Sequence, residues 1–172
     1  MNCAQCGSDV NGAFCPVCGT PVAAPASTVA LSGWWRRVGA TVVDNLLLFI
    51  PSSITFLLVS DIGGRLFGAL AALAVQGTYM VRFLASAKGQ TIGNRVVDTS
   101  VRDALTGAAI STNQALRRWG FIALYGVLDV TLPTSYAAIP TVIALIDCLF
   151  PLFDARKQTL HDKFAGTLVV RT

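Results

Sequence analysis

VGATVVDNLLLFIPSSITFLLV, residues 38–59, carries a single charge, Asp44, in an otherwise apolar run. Coiled as a helix at about 1.5 Å per residue, it outreaches the ~30 Å hydrocarbon core of a bilayer. The run is therefore expected to cross a membrane. Trp34, Trp35, Arg36 and Arg37 stand before it, the aromatic and basic residues that favour a membrane–water boundary. A cleaved secretory signal is not expected, because polar, cysteine-bearing residues precede a run too long for such a signal.

The whole chain has the same character. Of its 172 residues 53% are hydrophobic and 13% charged, against about 25% charged in ordinary soluble domains. The net charge of +4 comes with basic residues that flank the apolar runs. That placement fits a membrane surface, and nucleic acid is not expected as a partner. A second span is expected over residues 62–84, where Gly64, Gly68 and Ala72 form a stripe of small residues that lets another helix approach closely. Gln76 continues the stripe and is a candidate donor to a neighbouring carboxylate.

Residues 119–153 are too long for one span, and Pro133, Thr134 and Ser135 interrupt them. A hairpin of two short spans is expected there, 119–132 and 136–153. Arg117 and Arg118 precede this region while Arg156 and Lys157 follow it, so the chain returns to the side it left. The sequence thus predicts an all-α polytopic membrane protein with four short spans. Basic flanks place both termini and the 86–118 connection in the cytoplasm of a cell with this protein in its plasma membrane. Counted from the nearest basic flank, Asp44, Asp129 and Asp147 lie roughly 12–17 Å into the membrane. A carboxylate there costs about 2.5–3.5 kcal/mol unless it faces a partner or water. These acids, with Arg37 and Gln76, are candidates for an ion-binding or structural polar layer. A pairing of Asp44 with Arg37 or Arg82 is the structural alternative.

Ahead of the spans, Cys3-x2-Cys6 and Cys15-x2-Cys18 repeat a spacing that can aim four thiolates at one tetrahedral Zn²⁺. One zinc is expected. With all four positions taken by sulfur, the site would be closed and structural; disulfides or a redox pair are the alternatives. The domain plan is a zinc ribbon over residues 1–19, a flexible Ala-, Pro-, Ser- and Thr-rich linker over 20–32, and the membrane domain over 33–172. Cys148 reads as a small buried hydrophobe.

The 86–118 connection alternates around residues 96–101, and Thr106-Gly107 offers a turn back through 108–110. With the tail at 167–172, a small cytoplasmic β element is expected. Ser111 or Thr112 is the expected N-cap of the helix entering the third span. Residues 157–165 read as an amphipathic helix at the membrane edge. His161-Asp162 is adjacent in sequence, but neighbouring helix residues point about 100° apart and no nucleophile is evident, so an enzyme is not expected.

WWRRVGATVVDNLLL (34–48), KGQTIGNRVVDTSVRD (88–103) with Thr106-Gly107 after it, ALRR (115–118) and LIDCLFPLFDARKQTLHDKFAGTLVV (145–170) together resemble the RDD family of small bacterial membrane proteins. The resemblance covers both ends and the middle loop of the membrane domain. The family is named for one arginine and two aspartates, and these map to Arg37, Asp44 and either Asp162 or Asp147. What the resemblance implies is the membrane fold, with transport of unidentified ligands as the suggested role. Two functions are therefore expected in competition. One is a transporter or transporter subunit, working as a homo-oligomer, that moves H⁺ or a small cation through its intramembrane aspartates. The other is a membrane-bound adaptor whose zinc ribbon binds a cytoplasmic protein.

Overall fold

The computed structural model describes residues 3, 6–9, 17–18, 30–136 and 138–172. Cys15 and most of the expected linker lie outside the described residues. Apolar helices dominate the remainder. Helix α1 (Trp34–Gly63) turns at Gly64 into α2 (Arg65–Leu84), and a connection follows with α3 (Ile92–Val96) and strand β1 (Thr99–Asp103). Then come α4 (Thr112–Thr131), α5 (Ala138–Leu149), α6 (Leu160–Ala165) and β2 (Thr167–Arg171).

Helix α1 is 30 residues long, about 45 Å at helical rise and longer than a hydrocarbon core. It contains Pro51, whose missing N–H leaves the Leu47 carbonyl without its i+4 donor, a loss that a membrane helix can make good locally. Leu46, Phe49, Ile50, Leu57, Leu58 and Ile62 stand exposed along it, an apolar surface that suits lipid. Gly68 brings α2 against α1: a Cβ there would lie 2.7 Å from the Phe56 carbonyl oxygen.

Among the described residues three segments are long and apolar enough to cross a membrane: Trp34–Gly63, Arg65–Leu84 and Thr134–Leu152. The last joins α5 to a short 3-10 turn on each side. The expected third span, 119–132, overlaps α4, which begins seven residues earlier than 119, ends at Thr131 and carries Asn113, Gln114, Arg117, Arg118 and Asp129. Those polar side chains keep it out of the set of three. Its start is fixed by a capping box in which Ser111 and Gln114 satisfy each other's backbone N–H groups.

At one end of the helices sits a small cap. Strands β1 and β2 pair antiparallel, Thr99 opposite Arg171 and Asp103 opposite Thr167. The segment ahead of α1 joins them, with Leu31 bridging Val170, and Arg102 bridges Ala109 across the turn at Gly107. The β element therefore exists where expected, but residues 92–96 are helical and the strand begins only at Thr99. Thr91 caps α3 by accepting from the Asn94 N–H, which draws that stretch out of the strand. The expected helix over 157–165 is shorter as well, because Lys157 has φ +53° and Thr159 is the N-cap. Beneath the cap Leu84, Val101, Ile110, Ala115 and Val169 form the tightest apolar core.

Candidate functional site

The residues Thr159-Leu-His-Asp162 build the centre of the cap–helix junction. Thr159 Oγ1 accepts from the Asp162 N–H at 3.0 Å, and Asp162 Oδ2 accepts from the Thr159 N–H at 3.2 Å. This reciprocal capping box starts α6, and Gly166 at φ 66° ends it. It also fixes the Asp162 carboxylate, whose side chain is fully buried, between two arginines. Arg37 Nη1 lies 2.5 Å from Oδ2, and Arg118 Nη1 pairs with Oδ1. Thr167 completes the shell, accepting from Arg118 at 3.0 Å and donating to Oδ1 at 3.2 Å.

One residue earlier, His161 turns toward α5. Its backbone N–H donates to Asp147 Oδ1 at 3.0 Å and its Nδ1 lies 2.6 Å from Asp147 Oδ2. Burial, with the Arg118 charge behind it, pushes the imidazole down to about 4 against the pull of Asp147. His161 is therefore neutral at pH 7, and since a carboxylate only accepts, Nδ1 carries the proton. Nε2 then faces Asp162 Oδ1 at 4.0 Å with a bare lone pair. The ring thus spans two carboxylates.

Asp44 has a separate set of partners. Tyr79 Oη donates to Oδ1 at 2.6 Å, the Gly93 N–H to Oδ1 at 2.8 Å and Thr91 Oγ1 to Oδ2 at 2.6 Å. Three donors compensate a buried carboxylate without any positive charge. The close approach needs Gly93, since a Cβ would strike the Ala40 carbonyl and come 2.8 Å from the Asp44 carboxyl carbon. The expected partners of Asp44 are thereby corrected: Arg37 is drawn to Asp162, and neither Arg82 nor Gln76 supplies its hydrogen bonds.

A cavity of about 360 Å³ lies between these groups. Arg37, Asp44, Gln76, Arg118, Tyr125, Asp147 and His161 border it, with Val38, Leu48, Met80 and Ile122 supplying apolar wall. Asp129 is exposed at the far end of α4 and does not join the layer; the break at Pro133 lets it reach the surface. Cys148 is exposed too, and its carbonyl accepts from Trp34 Nε1 at 2.8 Å.

The sulfurs of Cys3, Cys6 and Cys18 lie within 4.8 Å of one another, Cys3 and Cys18 at 3.6 Å. Thiolates around a tetrahedral metal at about 2.3 Å stand roughly 3.8 Å apart. The three residues could therefore hold a metal ion; Cys15, the expected fourth ligand, lies outside the described residues.

The RDD family model matches residues 31–166, most of the chain, including Arg37, Asp44, Arg118, Asp147, His161 and Asp162. The chain belongs to the RDD family. It is a membrane-type protein with several apolar helices, as the resemblance of its sequence implies. Searches of the curated proteins and of the solved structures found no match. Of the two aspartates offered for the last place of the RDD signature, Asp162 is the one in contact with Arg37, while Asp147 belongs to His161. Sequence reasoning passed over Arg118 and the role of His161. The spacing of Thr159 to Asp162 was the available signal, because a capping box at that position commits Asp162 to the inner side of a short helix.

Proposed function

We propose that the protein is a proton-handling component of a membrane transport system, and that the Asp147–His161 pair takes up and releases the proton. The observation that carries this reading is the placement of His161, the chain's one histidine, at a cavity wall between two buried carboxylates. A proton reaching Nε2 makes an imidazolium that Asp147 stabilises and Arg118 opposes. The opposition keeps occupancy brief, which suits a relay more than a store. A metal cation is less well supported, because the oxygens of Asp44, Asp147 and Asp162 already accept from protein donors. A Ca²⁺- or Mg²⁺-like ion would need about six oxygens freed for it. One chain offers few helices to enclose a path, so the reading includes a homo-oligomer in the plasma membrane, both termini cytoplasmic.

Proton flux into liposomes holding the purified chain, followed by a trapped pH-sensitive dye, tests it. Wild-type flux above empty liposomes, lost in Asp147→Asn and His161→Gln, supports the reading. Absence of wild-type flux, or flux untouched by both changes, discards it.

The thiol cluster favours a second reading, in which zinc on Cys3, Cys6, Cys15 and Cys18 folds a ribbon that binds a cytoplasmic protein. A liposome-inactive protein that retains stoichiometric zinc and captures one defined partner through that ribbon would favour this adaptor role.

A further inference from the structure

We infer that the cavity beneath the cap binds a small organic monocarboxylate on the unused edge of Arg37. Arg37 spends Nη1 on Asp162. Its Nε and Nη2 are buried without a hydrogen-bond partner, on a side chain only 10% exposed. These two N–H groups form the lateral edge of the planar guanidinium, which matches the two oxygens of a carboxylate. A buried, charged donor pair without an acceptor is costly to maintain. Tyr125 Oη is likewise buried and unpartnered, and it borders the same cavity. Two helices thus bring three unpartnered donor atoms to the border of one cavity.

Charge and shape narrow the ligand. Arg37 and Arg118 face Asp162, and Asp44 and Asp147 stand on the same cavity wall, so a monoanion held by the guanidinium edge is favoured over a dianion, which would meet three carboxylates nearby. The volume of about 360 Å³ lies at the low end of ligand sites, roughly 300–1,000 Å³. Its apolar wall of Val38, Met80 and Ile122 suits a short aliphatic or aromatic tail behind the carboxylate. The site does not require His161 to titrate, so it stands or falls apart from the proton reading.

Benzoate and butyrate are the probes, titrated calorimetrically into the full chain in phosphatidylcholine nanodiscs, with inorganic phosphate as comparison. Saturable binding of a carboxylate, weaker or absent for phosphate, is expected. Tyr125→Phe keeps the ring and removes one donor, and should weaken binding about tenfold. Arg37→Lys keeps a charge for Asp162 and removes the lateral edge, and should abolish binding. Absence of saturable carboxylate binding, equal affinity in wild type and Tyr125→Phe, or tighter binding of phosphate would overturn the inference. So would loss of carboxylate binding on adding phosphatidylglycerol at constant ionic strength, which would assign the site to a lipid phosphate.

Discussion

Arg37 Nη1 and Asp162 Oδ2 lie 2.5 Å apart although 125 residues of chain separate them. The contact joins the first turn of the longest helix to a six-residue helix near the other end, and Arg118 closes on the same carboxylate. Because Asp162 is wholly buried, these charges must be compensated inside the protein. Asp147 supplies the balancing negative charge through the shared neighbour His161.

Asp162→Asn leaves two buried guanidiniums facing a neutral amide. A loss of about 3–5 kcal/mol is expected, the usual cost of breaking a buried pair. Unfolding of detergent-solubilised protein measures it. Adding Arg37→Gln should restore only part of the loss, because Arg118 stays unpaired; full stability in the single variant would contradict the arrangement.

Gly93→Ala and Gly120→Ala should act in opposite directions. The first drives a methyl into the Ala40 carbonyl and the Asp44 carboxyl, while the second adds one to open space on α4. Roughly 1–3 kcal/mol of destabilisation is expected at residue 93. At residue 120 a gain of about 0.5–1 kcal/mol is expected from the better helix former. The same unfolding assay reads both.

Acid should weaken the fold through His161. Its folded pKa of about 4 lies below the ordinary 6.5, so the unfolded chain binds a proton that the folded chain refuses. This contribution is complete above about pH 6.5 and is lost as pH falls toward 4, totalling about 3 kcal/mol. Hydrogen bonds from Lys163 and from backbone N–H groups hold the Asp154 carboxyl below its usual range, so its own acid sensitivity starts only below about pH 4. His161→Gln should flatten stability between pH 6.5 and 4, and an unchanged slope would refute the assignment.

Metal analysis of protein purified under reducing conditions should give one zinc per chain. Cys6→Ser should lower that content and leave the helical circular dichroism intact, since metal binding is coupled to folding of the ribbon alone. Unaltered zinc in Cys6→Ser would exclude the thiol site.

Orientation can be read with single cysteines at Ser60, Ser100, Ser135 and Thr172 in a cysteine-free background. Membrane-impermeant reagent added to intact cells should label residues 60 and 135 and spare 100 and 172. Labelling at Ser100 or Thr172 would reverse or break the four-crossing plan.

Hydropathy made the first two helices legible in sequence, because a long apolar run has few alternatives once it outreaches a bilayer. The paired strands could be anticipated in part, from the alternation over residues 96–101 and from the tail at 167–172 as a second strand candidate; the structure pairs 99–103 with 167–171. Partner choice within the polar layer could not. Residues 37, 41 and 44 share a helical face, which suggested that Arg37 serves Asp44. The structure separates them because a glycine of α3 and two hydroxyls reach Asp44 first. Periodicity reports which way a side chain points along its own helix and carries nothing about what a distant segment delivers there. Asp129 shows the same limit, since its exposure depends on where α4 ends rather than on its depth counted from Arg118.

The distance in sequence between Arg37 and Asp162 also sets an order of events during synthesis. At about 5–20 residues per second, Asp162 follows Arg37 out of the ribosome by roughly 6–25 s. Through that interval the first helices are made while Arg37, and later Arg118, still lacks the common counter-ion. Final registration of the bundle must therefore wait for α6, whose arrival acts as a latch. A nascent chain stalled before Thr159 would hold two arginines whose common counter-ion has yet to be made.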